Sequence, residues 1–515
     1  MRSCVIVLWD VLFFSLFVPL LCSPFNRKYL IYTVNENEGF NLRRDVYVRV
    51  ANLIRVLRDS SQYPLNDLNG ANFRNYDWTL VLPPWSQTFH WRRQTSSAYR
   101  AQPWSAFFNV EFLNLFVPVI EYDEFLQQGT VSRSLKSCFR CMITSLLCLH
   151  FLVAAVGARK APLDVAFLVK QFDLEQTQRG IRLEAPKVLF DANGYAHFMC
   201  EGDQIISNIM RTPDNVTYVY FDTATNESAL VTDAFYCLHG ALYAVELAGF
   251  LSRYIEEHPE TTFICIGEAE NLINGVWSEW SQQYWTARRS MVFARRLISL
   301  GDNFRHAVLN SEDYKDRTVP PPSWLYQPWP RSPARGGPYL GLHWRRGDFP
   351  HSSSPLTVAT QTLQAIQRRA EEVRLPTGQT LPIFLATDAD SEDIIQLEQL
   401  LSPHKVYRFT PEVSKNNILL PGDLAIIDQW ICAHARLFVG SVPSTFTFRI
   451  AEEREIMNFP AALTFNSLCS NEDADVVMLE DRRVPSDCEG LTPWSIVLEP
   501  RYTINTSTAL VKTEL

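Results

Sequence analysis

The sequence predicts an α/β protein made of two units, each a parallel sheet covered by helices. Strands and helices alternate in residues 28–85, and the same rhythm restarts after residue 338. Between the two lies "RTVPPPSWLYQPWPRSPARGG", dense in proline and closed by Gly-Gly, which reads as an interdomain linker over 317–338. Alternating strands and helices of this kind build parallel sheets.

The first unit opens on "KYLIYTV" (28–34), a continuous β-branched and aromatic run that reads as a buried strand. The polar turn "NENEG" ends it, and Asn41 is the expected cap of a helix running to about residue 58. "WTLVLPPW" (78–85) is the next strand, closed by its proline pair. In the second unit "PYLGLHW" is a strand, 355–374 a helix, "LPIFLATD" a strand, 391–402 a helix and "HKVYRF" a short strand. A helix around "LAIIDQWICAHA", a strand "RLFVGS" and a helix "STFTFRIAEERE" follow.

At 515 residues, 47% hydrophobic and 20% charged, the chain can bury two sizeable cores. A net charge of -9 gives no basic face for nucleic acid, so any phosphate must be met locally. Arg2 followed by "CVIVLWDVLFFSLFVPLLCS" reads as a secretory signal peptide over 1–23, with a retained signal-anchor as the rival. Asn215, Asn226 and Asn505 head N-glycosylation sequons, and the ending "KTEL" is similar to an endoplasmic-reticulum retention address. The expected location is the endoplasmic reticulum lumen.

Of the eleven cysteines, Cys200, Cys237, Cys265, Cys432, Cys469 and Cys488 lie outside the leader and the apolar segment described next. No pair has zinc-site spacing, so disulfides are the expected use, with Cys432 better read as a buried free thiol. The segment "CFRCMITSLLCLHFLVAAVGARK" (138–160) does not fit the alternation, and residues 130–160 read as an atypical insertion in the first unit. The uncharged run 141–158 is marginal for a membrane span. Three readings stay open: a non-native insertion such as translated unspliced sequence, a buried or docked helix, and a true span. Membrane association is expected only in the last case.

Several stretches could carry chemistry. The loop "NENEGFNLRRD" sets Glu38 and Gly39 between a strand end and a helix start, where a carboxylate suits a general base and glycine admits a ligand to the backbone. A surface turn is the plain alternative. In "GLHWRRGDF", alternation sends Leu342, Trp344 and Arg346 to one face and His343 and Arg345 to the other. An arginine at the carboxyl end of a parallel strand can fork onto phosphate oxygens, or simply pair with Asp348. The tripeptide Arg346-Gly347-Asp348 spells an adhesion motif, but adhesion needs an exposed loop tip and this is a strand end. Asp388-x-Asp390 has the spacing of metal-dependent glycosyltransferases, and a turn capped by Ser391 is preferred. Ser444 and Thr445 open a helix, giving hydroxyls and unbonded amides to a phosphate or to ordinary capping. Asp428, among apolar neighbours, must be paired or must accept hydrogen bonds from a ligand such as a guanine edge.

Together "EGFNLRRDVYVRVANL", "LVLPPW", "VPVIEYDEF", "TARRSMVFAR", "GGPYLGLHWRRGDF", "ATDA" and "AIIDQWICAHARLFVGSVPSTFTFRIAEERE" resemble the GDP-fucose protein O-fucosyltransferases. Within that family the resemblance is to the branch modifying thrombospondin type 1 repeats. The branch acting on EGF-like repeats lacks an "EGFNLRRD" loop and ranks second. The resemblance implies a GT-B type glycosyltransferase fold, two Rossmann-like lobes with the active site in the cleft between them. It implies metal-independent, inverting transfer of fucose from GDP-fucose to Ser or Thr hydroxyls, with no cofactor. Glu38 matches the family's catalytic carboxylate, and Asn37, Gly39, Phe40 and Asn41 its donor-contacting loop. His343, Trp344 and Arg345 match the donor-binding strand end, with Trp344 in the place of a leucine. Asp428, Thr445 and Phe446 match guanosine- and phosphate-binding positions, and Ser444 adjoins them. The family's cysteine positions imply disulfides Cys200–Cys237 and Cys469–Cys488.

The implied organisation is a leader (1–23), a first lobe (24–316), the linker (317–338), a donor-binding lobe (339–490) and a tail (491–515). Residues 126–283 show no stretch recognisable from the family, which leaves the acceptor open. An inactive donor-binding relative that acts as a folding factor is the alternative to an active enzyme, and a secreted adhesion module stands last.

Overall fold

A strand that is apolar on both faces belongs in the middle of a covered sheet, and β1 (Arg27–Tyr32) lies there. The structure is a computed structural model that describes residues 27–34, 38–59, 76–85, 101–127, 162–163, 165–169, 182–199, 209–213, 217–220, 229–232, 235–239, 244–259, 261, 263–267, 269–271, 282–319, 333–347, 353–373, 380–411, 419–441, 444–468, 477–479 and 482–484. The expected leader, Asn37, the segment 138–160, the sequons at Asn215, Asn226 and Asn505, Cys200, Cys469, Cys488, the middle of the linker and the tail lie outside those residues. Among the described residues, no helix is long and apolar enough to cross a membrane.

The first sheet has seven strands. Helix α1 (Phe40–Arg58) follows β1, then come β2 (Asp77–Leu82), β3 (Val119–Glu121), β4 (Val165–Val169), β5 (Arg182–Glu184), β6 (Phe235–His239), helix α2 (Ala244–Glu257) and β7 (Phe263–Gly267). Their order across the sheet is β3-β2-β1-β7-β4-β6-β5, parallel except for the last pair. Strand order therefore reverses beside β1. Lys28 is the one charge buried in β1, and its ammonium donates to the carbonyls of Pro259 (2.8 Å) and Thr261 (2.6 Å). Residues 187–232 contribute most of a separate six-stranded sheet. Region 126–283 thus supplies part of the main sheet and all six strands of a second, smaller one.

Helices α3 (Gln282–Ser290) and α4 (Arg295–Leu309) lead to the second parallel sheet. It contains β8 (Gly337–Trp344), helix α5 (Pro355–Arg368), β9 (Ile383–Thr387), helix α6 (Ser391–Leu400), β10 (Val406–Tyr407), helix α7 (Pro421–Ala433), β11 (Ala435–Ser441), helix α8 (Thr445–Ile456) and β12 (Ser467–Leu468). The order β10-β9-β8-β11-β12 is all parallel and reverses between β8 and β11. Such a reversal opens a crevice at the carboxyl ends of the two central strands, which is where open α/β sheets bind ligands.

Two helix starts differ from expectation. The cap of α1 is Gly39, not Asn41, because Phe40 already turns into the aromatic cluster of Trp85, Phe107 and Phe108. The cap of α6 is Asp390, one residue before Ser391, since its carboxylate accepts from the Asp393 amide at 2.9 Å. Cys265 is also corrected. It is a free thiol buried in β7, as Cys432 is in α7, whereas Cys237 is disulfide-bonded to a partner outside the described residues.

Helix α8 has no amphipathic stripe, and every residue from Thr447 to Ile456 is buried. Its charges are answered from other elements. Arg449 forms a two-pronged ion pair with Asp45 of α1 (2.7 and 3.2 Å) and touches Glu452 at 3.0 Å. Arg288 of α3 donates to Glu452 (2.5 Å) and Glu453 (2.6 Å), and the Tyr284 hydroxyl also donates to Glu452. Truncating one member of a buried pair strands its partner, so Arg449→Ala is expected to cost about 3–5 kcal/mol. Urea unfolding of the purified chain measures this, and a loss below about 1 kcal/mol would contradict the assignment.

Candidate active site

The loop that leaves β1 at the first sheet's reversal point carries Glu38 and Gly39. Its start is pinned to the end of β7: Thr33 donates to the Ile266 carbonyl (2.8 Å) and Ala269 donates to the Thr33 carbonyl (3.0 Å). Arg43 Nε holds the Glu38 carbonyl at 3.1 Å, and Arg49 donates to the Glu270 carbonyl. The Glu38 carboxyl is half-buried. Burial raises its pKa above the ordinary value, and Arg43 and Arg49 pull it back. A carboxylate in that state is a stronger base than a solvated one. Phe40 was grouped with the ligand-contacting residues, yet its ring is turned into the core. Only its main chain lies along the loop.

At the second reversal point, β8 ends in His343, Trp344 and Arg345. His343 packs on α8: its ring stacks on Phe446 with centroids 4.4 Å apart, and its Nδ1 lies 2.6 Å from Thr447 Oγ1. Burial, with Arg345 beside it, pushes His343 down to about 3, so the imidazole is neutral at physiological pH. Gly440 of β11 makes this contact possible, because a Cβ there would meet Thr447 Cγ2 at 2.6 Å. The Trp344 side chain points the other way, fully buried with Leu340, Leu342 and Val358, its Nε1 donating to the Ser353 carbonyl at 3.2 Å. Its indole is core, a correction to its place in the candidate ligand set.

Arg345 is tied at both ends. Its amide donates to Ser441 Oγ (3.0 Å) and its guanidinium pairs with Asp388, which also accepts from the Arg346 amide (2.7 Å). The Arg346 side chain bonds Asp393 (2.6 Å). The carboxylates of Asp388-x-Asp390 are therefore committed, one to this strand end and one to the cap of α6. The turn between them leads into α6 with Asp390, not Ser391, as its cap. Ser444 caps α8 without a side-chain hydrogen bond, and the first-turn amides from Thr445 onward precede the helix's own bonding pattern.

Asp428 lies on α7, half-buried, and no described residue hydrogen-bonds its carboxylate. Burial raises it to about 7, against the pull of Arg408. The two halves meet next to it. Gln429 accepts from Arg44 (2.8 Å) and donates to Asn41 (2.9 Å), which joins α7 to the start of α1. Sequence reasoning did not single out Thr447, Ser441, Gln429 or Asp388's pairing with Arg345. The available signal was the apolar setting of "AIIDQW" and the unstriped charge of "TFRIAEERE".

Residues 29–457 match the family profile described as GDP-fucose protein O-fucosyltransferase. The matched range runs through 126–283, where the sequence alone offered no recognisable stretch. The chain is 33% identical over 478 residues to GDP-fucose protein O-fucosyltransferase 2 of Caenorhabditis elegans, covering 92% of this chain and 90% of that one. It is 30% identical over 479 residues to the Homo sapiens protein of the same name, covering 91% and 90%. The Drosophila melanogaster protein is 31% identical over 466 residues, covering 88% and 82%. A profile match over most of the chain and relatives this similar over nearly their full length place the chain in the GDP-fucose protein O-fucosyltransferase family of glycosyltransferases.

Proposed function

We propose that the protein transfers fucose from GDP-fucose, with inversion and without a metal, to Ser or Thr hydroxyls of folded thrombospondin type 1 repeats. The setting is the endoplasmic reticulum lumen, and the two parallel sheets act as the lobes of a GT-B enzyme. One observation carries the reading. The Glu38 loop and the His343–Arg345 strand end each occupy a reversal point of a parallel sheet, and hydrogen bonds and ion pairs tie the two sides together. The acceptor class rests on the branch resemblance of the sequence, and the relatives' shared name supports a protein acceptor. Cys237 is proposed to pair with Cys200, since its sulfur lies 3.9 Å from the carbonyl of Met199, the preceding residue.

In this reading the acceptor hydroxyl gives its proton to Glu38 as it attacks the anomeric carbon, and GDP leaves from the opposite face. Charge then develops on the β-phosphate. Arg345 and the opening amides of α8 are suited to receive it, because they are oriented before the reaction starts. His343 is neutral, and its contact with Thr447 steadies that helix start. Asp428 is suited to accept hydrogen bonds from guanine.

Glu38→Gln and Arg345→Ala are each expected to lower kcat/KM by at least about 100-fold with an unchanged unfolding midpoint. The assay is fucose incorporation into a folded repeat domain, and wild-type-like turnover by either variant would overturn the assignment. An inactive wild-type chain that still binds GDP-fucose would favour the folding-factor alternative.

Asp428 sets a pH dependence. Below about 7 the ligand-free carboxyl is protonated and offers an O–H where the base needs an acceptor. GDP-fucose affinity should therefore fall with decreasing pH, by up to about tenfold per unit. In Asp428→Asn that slope should flatten, with weaker binding throughout. Calorimetric titrations between pH 5.5 and 8, within about 1.5 units of the pKa, test this. An equal slope in both proteins counts against it.

A further inference from the structure

A guanidinium can only donate hydrogen bonds, and here that fixes the polarity of a chain of side chains. Arg44 is fully buried in α1, between the rings of Phe108 (5.6 Å) and Phe293 (5.0 Å). Its Nη1 donates to Gln429 Oε1 at 2.8 Å, while Nε and Nη2 have no partner. The amide of Gln429 must therefore turn its oxygen toward Arg44 and its NH2 away. That NH2 donates to Asn41 Oδ1 at 2.9 Å. With its oxygen engaged, Asn41 keeps only its Nδ2 donors to offer, two residues after Gly39 in the loop that opens α1. The charged groups facing Arg44 are Arg288, Arg449, Glu452 and Glu453. Burial, Arg288 and Arg449 bring its pKa to about 9, so at neutral pH it stays a pure donor.

We propose that Gln429 is a positioning residue that passes the donor-only character of Arg44 to Asn41, so that Asn41 presents its amide NH2 to an oxygen of the diphosphate-sugar. This rests on the reading of residues 37–41 as the donor loop. It adds a polarity that the sequence does not show, since asparagine can offer either end of its amide.

Gln429→Glu separates this role from simple packing. A glutamate of the same shape accepts from Arg44 and also accepts from Asn41, so Asn41 must flip and turn its oxygen outward. The carboxylate also pairs with a buried cation. The unfolding midpoint should therefore stay level or rise, while the KM for GDP-fucose increases about tenfold or more and kcat changes less. A structural role alone would move stability and activity in the same direction. Asn41→Asp is the second arm, since it leaves Arg44 and Gln429 paired but shows the ligand an acceptor. It should weaken GDP-fucose binding by a similar factor. Measuring GDP alongside GDP-fucose locates the partner: loss of both assigns the diphosphate, loss of GDP-fucose alone assigns the sugar, and either supports the relay. Wild-type binding of GDP-fucose together with unchanged affinity in both variants overturns the relay alone. A wild-type chain that does not bind GDP-fucose overturns the donor-loop reading and the relay with it.

Discussion

The structure depends on a group of charges that water does not reach. Arg44, Arg288 and Arg449 face Asp45, Glu452 and Glu453, all buried, on helices drawn from both sides of the molecule. Burial works against each charge, but the signs balance across the set. Arg449 ends up held more firmly protonated than a free guanidinium, by Asp45, Glu452 and Tyr284. Such an arrangement adds little net stability over a hydrophobic packing of equal volume. What it supplies is a unique fit. A slide of α1 along α8 would break the two-pronged Asp45–Arg449 pair and leave Asp45 buried without its cation, which favours one register for the two helices.

That register matters because the two helix starts are where chemistry is expected. Helix α1 begins just after Glu38, and α8 begins at Thr445 beside His343. The ion pairs lie one to two turns further along each helix, close enough to fix those ends and far enough to leave them open to a ligand. Gly440 and Thr447 finish the job on the α8 side, setting the helix start against the sheet at a distance no larger residue would allow. The proposed reactive groups sit on loops, and buried electrostatics fix the helix starts that those loops join.

Much of this was legible in the sequence, and the reasons for the rest are physical. Long apolar strands such as "KYLIYTV" and "PYLGLHW" announce themselves, because burial on both faces removes any need for polar alternation. Helix starts were misplaced by a residue or two at Asn41 and Ser391, since a neighbouring residue's tertiary contact or carboxylate took the cap. Cys265 read as a disulfide candidate, yet the centre of a strand in a covered sheet suits a buried thiol. Region 126–283 stayed opaque because most of its strands are only two to five residues long and are split between two sheets. The charges of α8 were visible as letters, but nothing local says that they face inward, because their partners are more than 160 residues away in sequence.

Two patterns that looked like separate functions turn out to be one structural feature. The Arg-Gly-Asp tripeptide suggested adhesion, and Asp388-x-Asp390 suggested a metal. In the fold, adjacent strands β8 and β9 bring these stretches together. Arg345 and the Arg346 amide bind Asp388, and the Arg346 side chain binds Asp393 on the helix that Asp390 caps. The glycine between them follows from the same contact, since a Cβ at Gly347 would lie 2.7 Å from an Asp388 oxygen. Arg346, Asp388 and Asp390 are thus engaged within this contact and the cap of α6, while Asp348 lies outside the described residues. A guanidinium has five donors, so one bond to Asp388 orients Arg345 without exhausting it. The Asp388 carboxylate holds that guanidinium against the end of β9.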